Sequence, residues 1–507
     1  DSDTAAVSTI TGSGVYNIVG DIRAADGGIL TLDLAEGSRF EGKAVLDSGN
    51  DSQSTLTMAK NSLWTLTGNS QLNSLQNEQS VIDMTGDNKA FSTLSVETLT
   101  GNGGTIIMDI DGSQVDASDK IYVTGDFSGS QTLSLKEING LDSDPGIGQA
   151  AENTVLASVN GSGTFTADDQ EGTLYWQRYE LGQKDSAASG YTTDWYLKGI
   201  TNLNLPTTSV EAIAASGALA YHTWRDHDQL LQRLGDLRQH GREEEGVWVR
   251  VKGGKLSRSD QFEFENKYTQ YELGYDQKLK STPAYTRYAG ISFSYLDGDS
   301  SYSSGSGENK VKALNIYGTQ IGAKGHYLDL VLKYSQLDND FKVFDTSGNK
   351  ITGDYDQNGL SISAEYGRKN NLKNNWYIEP QAQLTFGRLR GTDYTTSNGI
   401  RVDQDGIDSF VGRIGFNIGK DINEKTNIYL KANLMHEFGG GYNASMVDAG
   451  GTKARLDRDF DDTWFEYGLG AAVQTGKNNY FYVDVERSAG SDYKKDWQWN
   501  VGARWSF

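Results

Sequence analysis

The sequence predicts an all-β chain that ends in a twelve-stranded antiparallel transmembrane β-barrel over residues 246–507. Three observations predict it. Apolar and polar residues alternate in strand after strand, short connectors alternate with long polar ones, and the composition suits strands and turns. Of 507 residues, 60 are Gly, 27 Tyr and 10 Trp, while only 4 are Pro. That mixture fits many strands joined by turns, with aromatic belts where a barrel meets an interface.

The alternation is plainest at the C-terminus. Trp497, Trp499, Val501, Ala503, Trp505 and Phe507 alternate with Asp496, Gln498, Asn500, Gly502, Arg504 and Ser506. Phe481, Val483 and Val485 alternate with Asp484 and Glu486, and Phe465, Tyr467 and Leu469 with Glu466 and Gly468. Phe410, Ile414, Phe416 and Ile418 enclose Arg413 and Asn417; Leu360, Ile362, Ala364 and Tyr366 enclose Glu365; Val249 and Val251 enclose Arg250. A half-buried soluble strand shows this pattern once; here it recurs in about twelve strands, the even number that single-chain bacterial barrels use. The strand near 311–317 is the least regular.

Connectors 280–284, 322–325, 368–374, 420–426 and 476–479 read as tight turns. Those at 297–309, 336–357, 390–408 and 439–463 read as long polar loops. Short periplasmic turns and long external loops give a membrane barrel this asymmetry, and an even strand count puts both barrel ends on the periplasmic side. A soluble sandwich has little reason for loop asymmetry or for repeated interior Arg and Glu. The lumen lining is therefore expected at Arg250, Glu365, Arg413, Glu466, Asp484, Glu486 and Arg504, and the barrel at the bacterial outer membrane, monomeric and surrounded by its lipid.

Residues 209–240 form the one strongly helical stretch, Ala-rich at first and later carrying Leu230, Leu231, Leu234 and Leu237. Thr208 or Ser209 is expected to cap it after Pro206, and Gly241 to end it. As a single helix it would reach roughly 45–50 Å, enough to cross a hydrocarbon core of about 30 Å. Its Arg225, Asp226, Asp228, Arg233, Asp236 and Arg238 would be costly against lipid. Inside a charged lumen they would be hydrated or paired, so the helix is expected to thread the barrel.

Ahead of it, short Thr/Ser/Leu/Val strands punctuated by Asn and Gly run from about 29 to 110, spaced as the coils of a parallel β-helix. From 101 to 199 the strands turn more aromatic, as a capping end would. The expected domains are a β-helix at 1–99, a cap at 100–200, a linker with the helix at 201–245 and the barrel at 246–507.

The net charge of −22 argues against nucleic acid. Cys is absent, which excludes disulfides and thiolate chemistry. No run of about 18 apolar residues exists, and a barrel does not need one. The chain opens on Asp1 with neither Met nor a leader, and reads as a processed or truncated product. His222, His227, His240, His326 and His436 are too scattered for a zinc site. His436-Glu437-Phe438-Gly439 begins like a zincin motif but has Gly440 where the second His belongs. Asp403 and Asp405, and the acidic run 457–462, read as solvated loops and not as cation sites. The Gly-rich 101–104 reads as a turn. No cofactor and no catalytic residue are expected.

Several segments resemble a known family. Leu63-Trp64-Thr65-Leu66-Thr67-Gly68-Asn69-Ser70, leading to Leu72-Asn73-Ser74-Leu75, resembles the rungs of pertactin-like autotransporter passengers. Leu99-Thr100-Gly101-Asn102-Gly103-Gly104, then Ser118-Asp119-Lys120-Ile121-Tyr122-Val123-Thr124-Gly125, is similar to the autochaperone region that ends such passengers, and Asp194-Trp195-Tyr196-Leu197 to its last strand. Arg233-Leu234-Gly235-Asp236-Leu237-Arg238 followed by Gly246-Val247-Trp248-Val249-Arg250 resembles the helix-to-barrel junction of the translocator. Trp505-Ser506-Phe507 resembles the signal read by the β-barrel assembly machinery, with Trp505 and Phe507 its aromatic residues. The resemblance implies a right-handed β-helix passenger and type Va secretion, in which the chain crosses through its own barrel and its rungs stack outside. It implies an adhesin-like passenger for host or neighbouring-cell surfaces. The alternative is the stalk of an enzyme passenger, protease or esterase, whose catalytic part lies outside this chain. Some relatives cleave the passenger at an Asn-Asn pair on the helix; 209–240 contains no Asn, so the passenger is expected to stay attached.

Overall fold

The computed structural model describes residues 6–47, 51–86, 90–112, 114–139, 153–226, 229–234, 245–476 and 478–507. The chain forms two compact units, Asp1–Leu205 with Ala449–Thr452, and Pro206–Asp448 with Lys453–Phe507.

The first unit is a β-solenoid. One parallel sheet runs through Val7–Ile10, Ile29–Leu34, Gln53–Met58, Ser70–Asn77, Thr93–Thr100, Lys120–Phe127 and Val155–Gly161. A second runs through Asn17–Val19, Arg39–Glu41, Leu63–Thr65, Val81–Asp83, Asn102–Asp111, Ser130–Asn139 and Thr164–Ala167. Because successive coils repeat in register, like side chains stack into columns. Leu32, Leu56, Leu75, Leu99 and Phe127 form one; Phe40, Trp64, Ile82, Ile106 and Leu133 form the other. All ten are buried. No coil could bury its apolar face alone, so each depends on its neighbours. Phe40 stacks on Trp64 at 5.6 Å, and the Trp64 indole N–H reaches the Gly42 carbonyl at 2.9 Å. Gly101, at φ 110°, makes the bend between coils, a conformation that disfavours any Cβ, while 102–104, read from sequence as part of a turn, already belong to the strand Asn102–Asp111.

Parallel stacking ends where Val155–Gly161 pairs antiparallel with Thr193–Pro206. Phe165 packs between Phe127 (4.5 Å) and the edge of Trp195 (5.5 Å), closing the column that would otherwise meet water.

The second unit is a closed barrel. Its twelve strands are Glu245–Arg258, Phe264–Ser281, Tyr285–Tyr302, Gly305–Gly322, His326–Phe344, Lys350–Arg368, Trp376–Leu389, Ile407–Asn423, Thr426–Glu437, Asp462–Gln474, Asn479–Ala489 and Tyr493–Ser506. Each pairs antiparallel with the next, and the first pairs with the last. Leu273, Phe293, Ile316, Ile362, Leu384, Ile414, Leu430 and Leu469 are exposed on the outer wall, the apolar band of a lipid-facing surface. Their alternates are polar and buried.

Four sequence expectations are corrected. The stretches 297–309 and 336–357 are not loops: the strands run on to Tyr302 and Phe344 and turn back at Gly305 and Lys350. Likewise 390–408 and 439–463 carry Thr392–Thr395, Arg401–Gln404, Gly441–Val447 and Lys453–Asp459, a second antiparallel sheet. Polar residues there reflect a ladder that has left the hydrocarbon, not a loss of strand, and Asp403, Asp405 and the run 457–462 belong to this sheet and its margins. The strand at 311–317 is regular within Gly305–Gly322; it looked irregular because its inner face carries Val311 and Ala313 while Lys312 points outward to Asp338, 3.0 Å away. Finally, the strict alternation from Asp496 breaks. The register against the first strand shifts so that Lys255 pairs with Trp497 and Leu256 with Lys495. Asp496 is bulged out, and Lys495 turns inward.

The helix is the fourth correction. It is not one rod over 209–240. Helix α1, Thr208–Arg225, stops at Asp226, whose ψ of 109° is extended, and a second short helix α2 covers Leu230–Leu234. Its cap is Thr207, which accepts the Val210 N–H at 3.4 Å, and not Thr208 or Ser209. Eighteen residues reach about 27 Å.

Candidate functional site

The barrel interior is the candidate site, and α1 fills its outer part. Sixteen of the helix residues are buried, on every face, which is the signature of an enclosed helix and not an amphipathic one. Ala212, Ala214, Ala215, Gly217, Ala218 and Ala220 keep it thin. Its N-terminal end lies at the long-hairpin end of the barrel, where Asn398 donates to Ser209 (2.9 Å) and Ser303 to Glu211 (3.3 Å). Lower down, Ser216 meets the Tyr355 hydroxyl at 2.8 Å, and Trp224 packs against the bare backbone of Gly359 and Gly387.

An aromatic collar surrounds the last turns of α1. Tyr221 stacks on Phe460 at 5.2 Å and His222 on Tyr493 at 4.3 Å. Arg225 lies over Trp464 at 4.5 Å, and its guanidinium is 3.6 Å from Glu437. Glu437 is fully buried and held by Tyr221 (2.6 Å), Ser409 (2.6 Å) and the Phe410 N–H (2.7 Å). The apparent zincin fragment is therefore a helix anchor. His436, beside it, points to Thr463 on the exposed side.

At the break, Asp226 lies 3.0 Å from Lys252 on the first strand and 3.3 Å from Lys495 on the last. Helix α2 is then bound at both ends. Glu365 accepts the Leu230 N–H at 2.8 Å, taking one of the donors that a helix start leaves free. The Gln232 carbonyl accepts from Asn500 (3.0 Å) and Arg250 (3.3 Å), and the Arg233 carbonyl from Tyr482 (2.7 Å). Arg233 itself donates from one guanidinium nitrogen to both carboxylate oxygens of Asp329, at 2.7 and 2.9 Å.

The residues expected to line the lumen are all buried. Arg250 pairs with Glu272, and Glu365 with Arg413 at 3.1 Å. Asp484 and Glu486 share Lys431 at 2.6 Å each, while Glu486 also takes Lys495 at 2.5 Å. Glu466 lies 3.4 Å from Lys495, and Arg504 pairs with Asp276 at 2.6 Å. Of the helix residues, Arg225, Asp226 and Arg233 face these groups; Asp228, Asp236 and Arg238, like His227 and His240, lie outside the described residues. Lys252, Glu272, Asp276, Lys431 and Lys495 were not expected from the sequence, and Glu437 was met there only as part of an incomplete zincin motif. Strand period would have found Lys252, two residues after Arg250; the bulge hid Lys495.

Two spaces among the described residues between helix and wall are small. One of about 30 Å³ lies between Asp226, Gln232, Arg413 and Lys495, and one of about 20 Å³ between Asp226, Lys252 and Lys333. Each has room for a water or two, not for a solute. Among the described residues no group of three or more His, Cys, Asp or Glu is placed to hold a metal ion.

At the barrel's end, Phe507 donates its N–H to the Glu245 carbonyl at 3.1 Å while its ring is 65% exposed. Trp505 meets the Phe481 ring edge at 6.3 Å and faces outward.

Comparison with known proteins gives two matches along the chain. The family model for the autotransporter β-domain matches residues 247–486, and that for pertactin matches residues 71–199. A probable autotransporter YcgV of Escherichia coli is 28% identical, aligned over 100% of this chain and 55% of its own length. The pertactin autotransporter of Bordetella bronchiseptica is 28% identical over 96% of this chain and 56% of its own. The serine protease Pet autotransporter of E. coli is 26% identical over 90% of this chain and 34% of its own. The chain thus spans about half the length, or less, of these curated relatives.

Proposed function

The chain carries an autotransporter β-domain behind a pertactin-like segment, and from that premise we propose that it secretes and displays its own N-terminal region. The barrel sits in the bacterial outer membrane, with the solenoid on the cell surface. What carries the reading is the path of the helix. The described helical segment ahead of the first strand, from Thr208 to Leu234, enters the lumen at the long-hairpin end and descends toward the short-turn end. That is the path of a chain whose upstream part has already crossed. Stacking of coils such as Leu56 on Leu75 outside then supplies the downhill step. The paired charges of the lumen hold the last segment in place and close the pore behind it.

The reading includes three partners: outer-membrane lipid around a monomeric barrel, the assembly machinery acting on Trp505 and Phe507, and a surface ligand for an adhesin-like passenger. An epitope placed within residues 1–99 of the precursor should be cleaved by protease added to intact cells. Protection of the epitope while the barrel is inserted would sink the proposal. Adherence of cells displaying the chain with and without residues 1–99 tests the adhesin role, and equal adherence leaves only a stalk.

A second reading, a stalk for an enzyme passenger, is favoured by the relative named a serine protease. Labelling of the full-length precursor by a serine-reactive fluorophosphonate decides it.

A further inference from the structure

The outer wall carries a groove that the secretion role does not use. Its volume is about 430 Å³ and its lining is almost wholly apolar. Register places Trp376, Lys420, Ile428, Ala471 and Val483 side by side in one row across the seventh to eleventh strands. Every second residue of a strand faces out, so this row belongs to the lipid-facing surface. Ala471 is its low point: bulky residues flank it within the row at Ile428 and Val483, and along its own strand at Leu469. A single small side chain between branched ones leaves a furrow in the apolar surface.

The row lies near the short-turn end, since the eighth strand ends at Asn423 and the ninth begins at Thr426. That end faces the periplasm, so the furrow opens toward the inner leaflet of the outer membrane. At its polar edge stands Lys420, whose ammonium is 5.7 Å from the Trp376 ring centroid. Among the described residues Lys420 has no ion pair. The neighbouring carboxylate, Asp421, is taken by Lys369 at 3.2 Å and by Asn427 at 2.8 Å. A Lys stem laid on apolar surface with its head in the interface, beside an exposed Trp, is the arrangement that meets a lipid phosphate.

We propose that this groove is a binding site for one anionic phospholipid of the inner leaflet, its tail over Ala471 and its phosphate on Lys420. The inference rests on the outer-membrane placement of the barrel but not on the secretion mechanism. Filling the furrow should exclude the tail whatever the headgroup, whereas neutralising Lys420 should remove only the preference for negative charge.

The test is native mass spectrometry of the full chain in detergent, titrated with phosphatidylglycerol and, separately, with phosphatidylcholine. The wild-type chain should retain one phosphatidylglycerol in preference to phosphatidylcholine. Lys420→Gln should lower phosphatidylglycerol retention about fivefold, as expected for one interfacial cation, and leave phosphatidylcholine unchanged. Ala471→Leu should lower both. Lys280→Gln, an exposed lysine elsewhere at the same end, should change neither. Heat-modifiable gel migration reports the folded barrel independently, so loss of lipid and loss of the barrel are distinguished. Phosphatidylglycerol retention that survives Ala471→Leu, or that falls equally in Lys280→Gln, would overturn the proposal.

Discussion

Asp226 stands 3.0 Å from the Lys252 ammonium, and its other oxygen is 3.3 Å from Lys495. Those lysines lie on the first and last strands, the pair that closes the barrel. One carboxylate at the end of α1 therefore ties the helix to both sides of the closure seam, at the point where the helix breaks.

Asp226→Asn removes that tie. Lys495 keeps Glu486 and Glu466, so the loss falls on Lys252. Breaking a fully buried pair costs about 3–5 kcal/mol. The Asp226 side chain is 18% exposed, so the expected loss is smaller, about 1–2 kcal/mol. It should appear as a lower temperature for loss of compact gel migration. A midpoint unchanged in Asp226→Asn would show the clamp to be idle.

Gly359 faces the helix with no side chain because there is no room for one: a Cβ there would stand 2.0 Å from Trp224 Nε1. Gly359→Val should push Trp224 and α1 off the wall while leaving the strand ladder intact. Conductance in planar bilayers should rise toward that of a chain lacking 209–240, with unchanged β-sheet circular dichroism. If deletion of the helix itself leaves conductance unchanged, the lumen is not plugged by it.

Much of this was legible in the sequence, for a physical reason. Lipid and lumen impose opposite demands on alternate residues, so Leu360, Ile362 and Glu365 announce their faces without any knowledge of neighbours. What depended on pairing across strands was not legible. The hairpin tips at Tyr302 and Phe344 lack the apolar stripe that marks a strand in lipid, yet the ladder continues because its backbone still pairs. The bulge at Asp496 is set by register with Lys255 and Leu256, which no local pattern encodes. Glu437 carried a misleading local motif, and only the fold brings Tyr221 and Arg225 to it. The helix break could not be read either, since Lys495, one of the two lysines that meet Asp226 there, is brought to it only by closure of the barrel.

The solenoid should lose stability as pH rises from about 4 to 7. Asp119 is fully buried, and desolvation pushes its carboxyl up to about 7 against the pull of the Ser92 and Asp109 N–H groups, 2.6 and 2.7 Å away. In the unfolded chain it titrates near 3.8. Between those values the folded state holds a proton that the unfolded state has released, so this stabilising contribution is complete below about pH 4 and is lost as pH climbs through the folded value. Thermal unfolding of the solenoid at pH 4, 5.5 and 7 should give falling midpoints. Asp119→Asn should start lower at pH 4, having exchanged an acceptor for an amide donor, and should show a flatter profile. A wild-type midpoint that rises over this range would exclude the assignment.

Phe507 is where the proposed recognition by the assembly machinery can be tested apart from stability. Its ring is 65% exposed and its only described tie to the wall is a backbone N–H to Glu245 at 3.1 Å. Replacing the ring removes little buried surface, and exposed substitutions usually change stability by within about 0.5 kcal/mol. Phe507→Ala should therefore refold in detergent with the wild-type melting temperature. In cells the same variant should fall well below wild type in the outer membrane, because the assembly machinery has lost an aromatic side chain that the folded barrel does not need. Trp505, 39% exposed and set against Phe481, should show a mixed effect, since it also packs. If Phe507→Ala reached the outer membrane at wild-type levels, the terminal aromatic would be only a lipid-facing residue. If it failed equally in detergent, its role would be structural. Only impaired assembly with intact refolding assigns it to recognition.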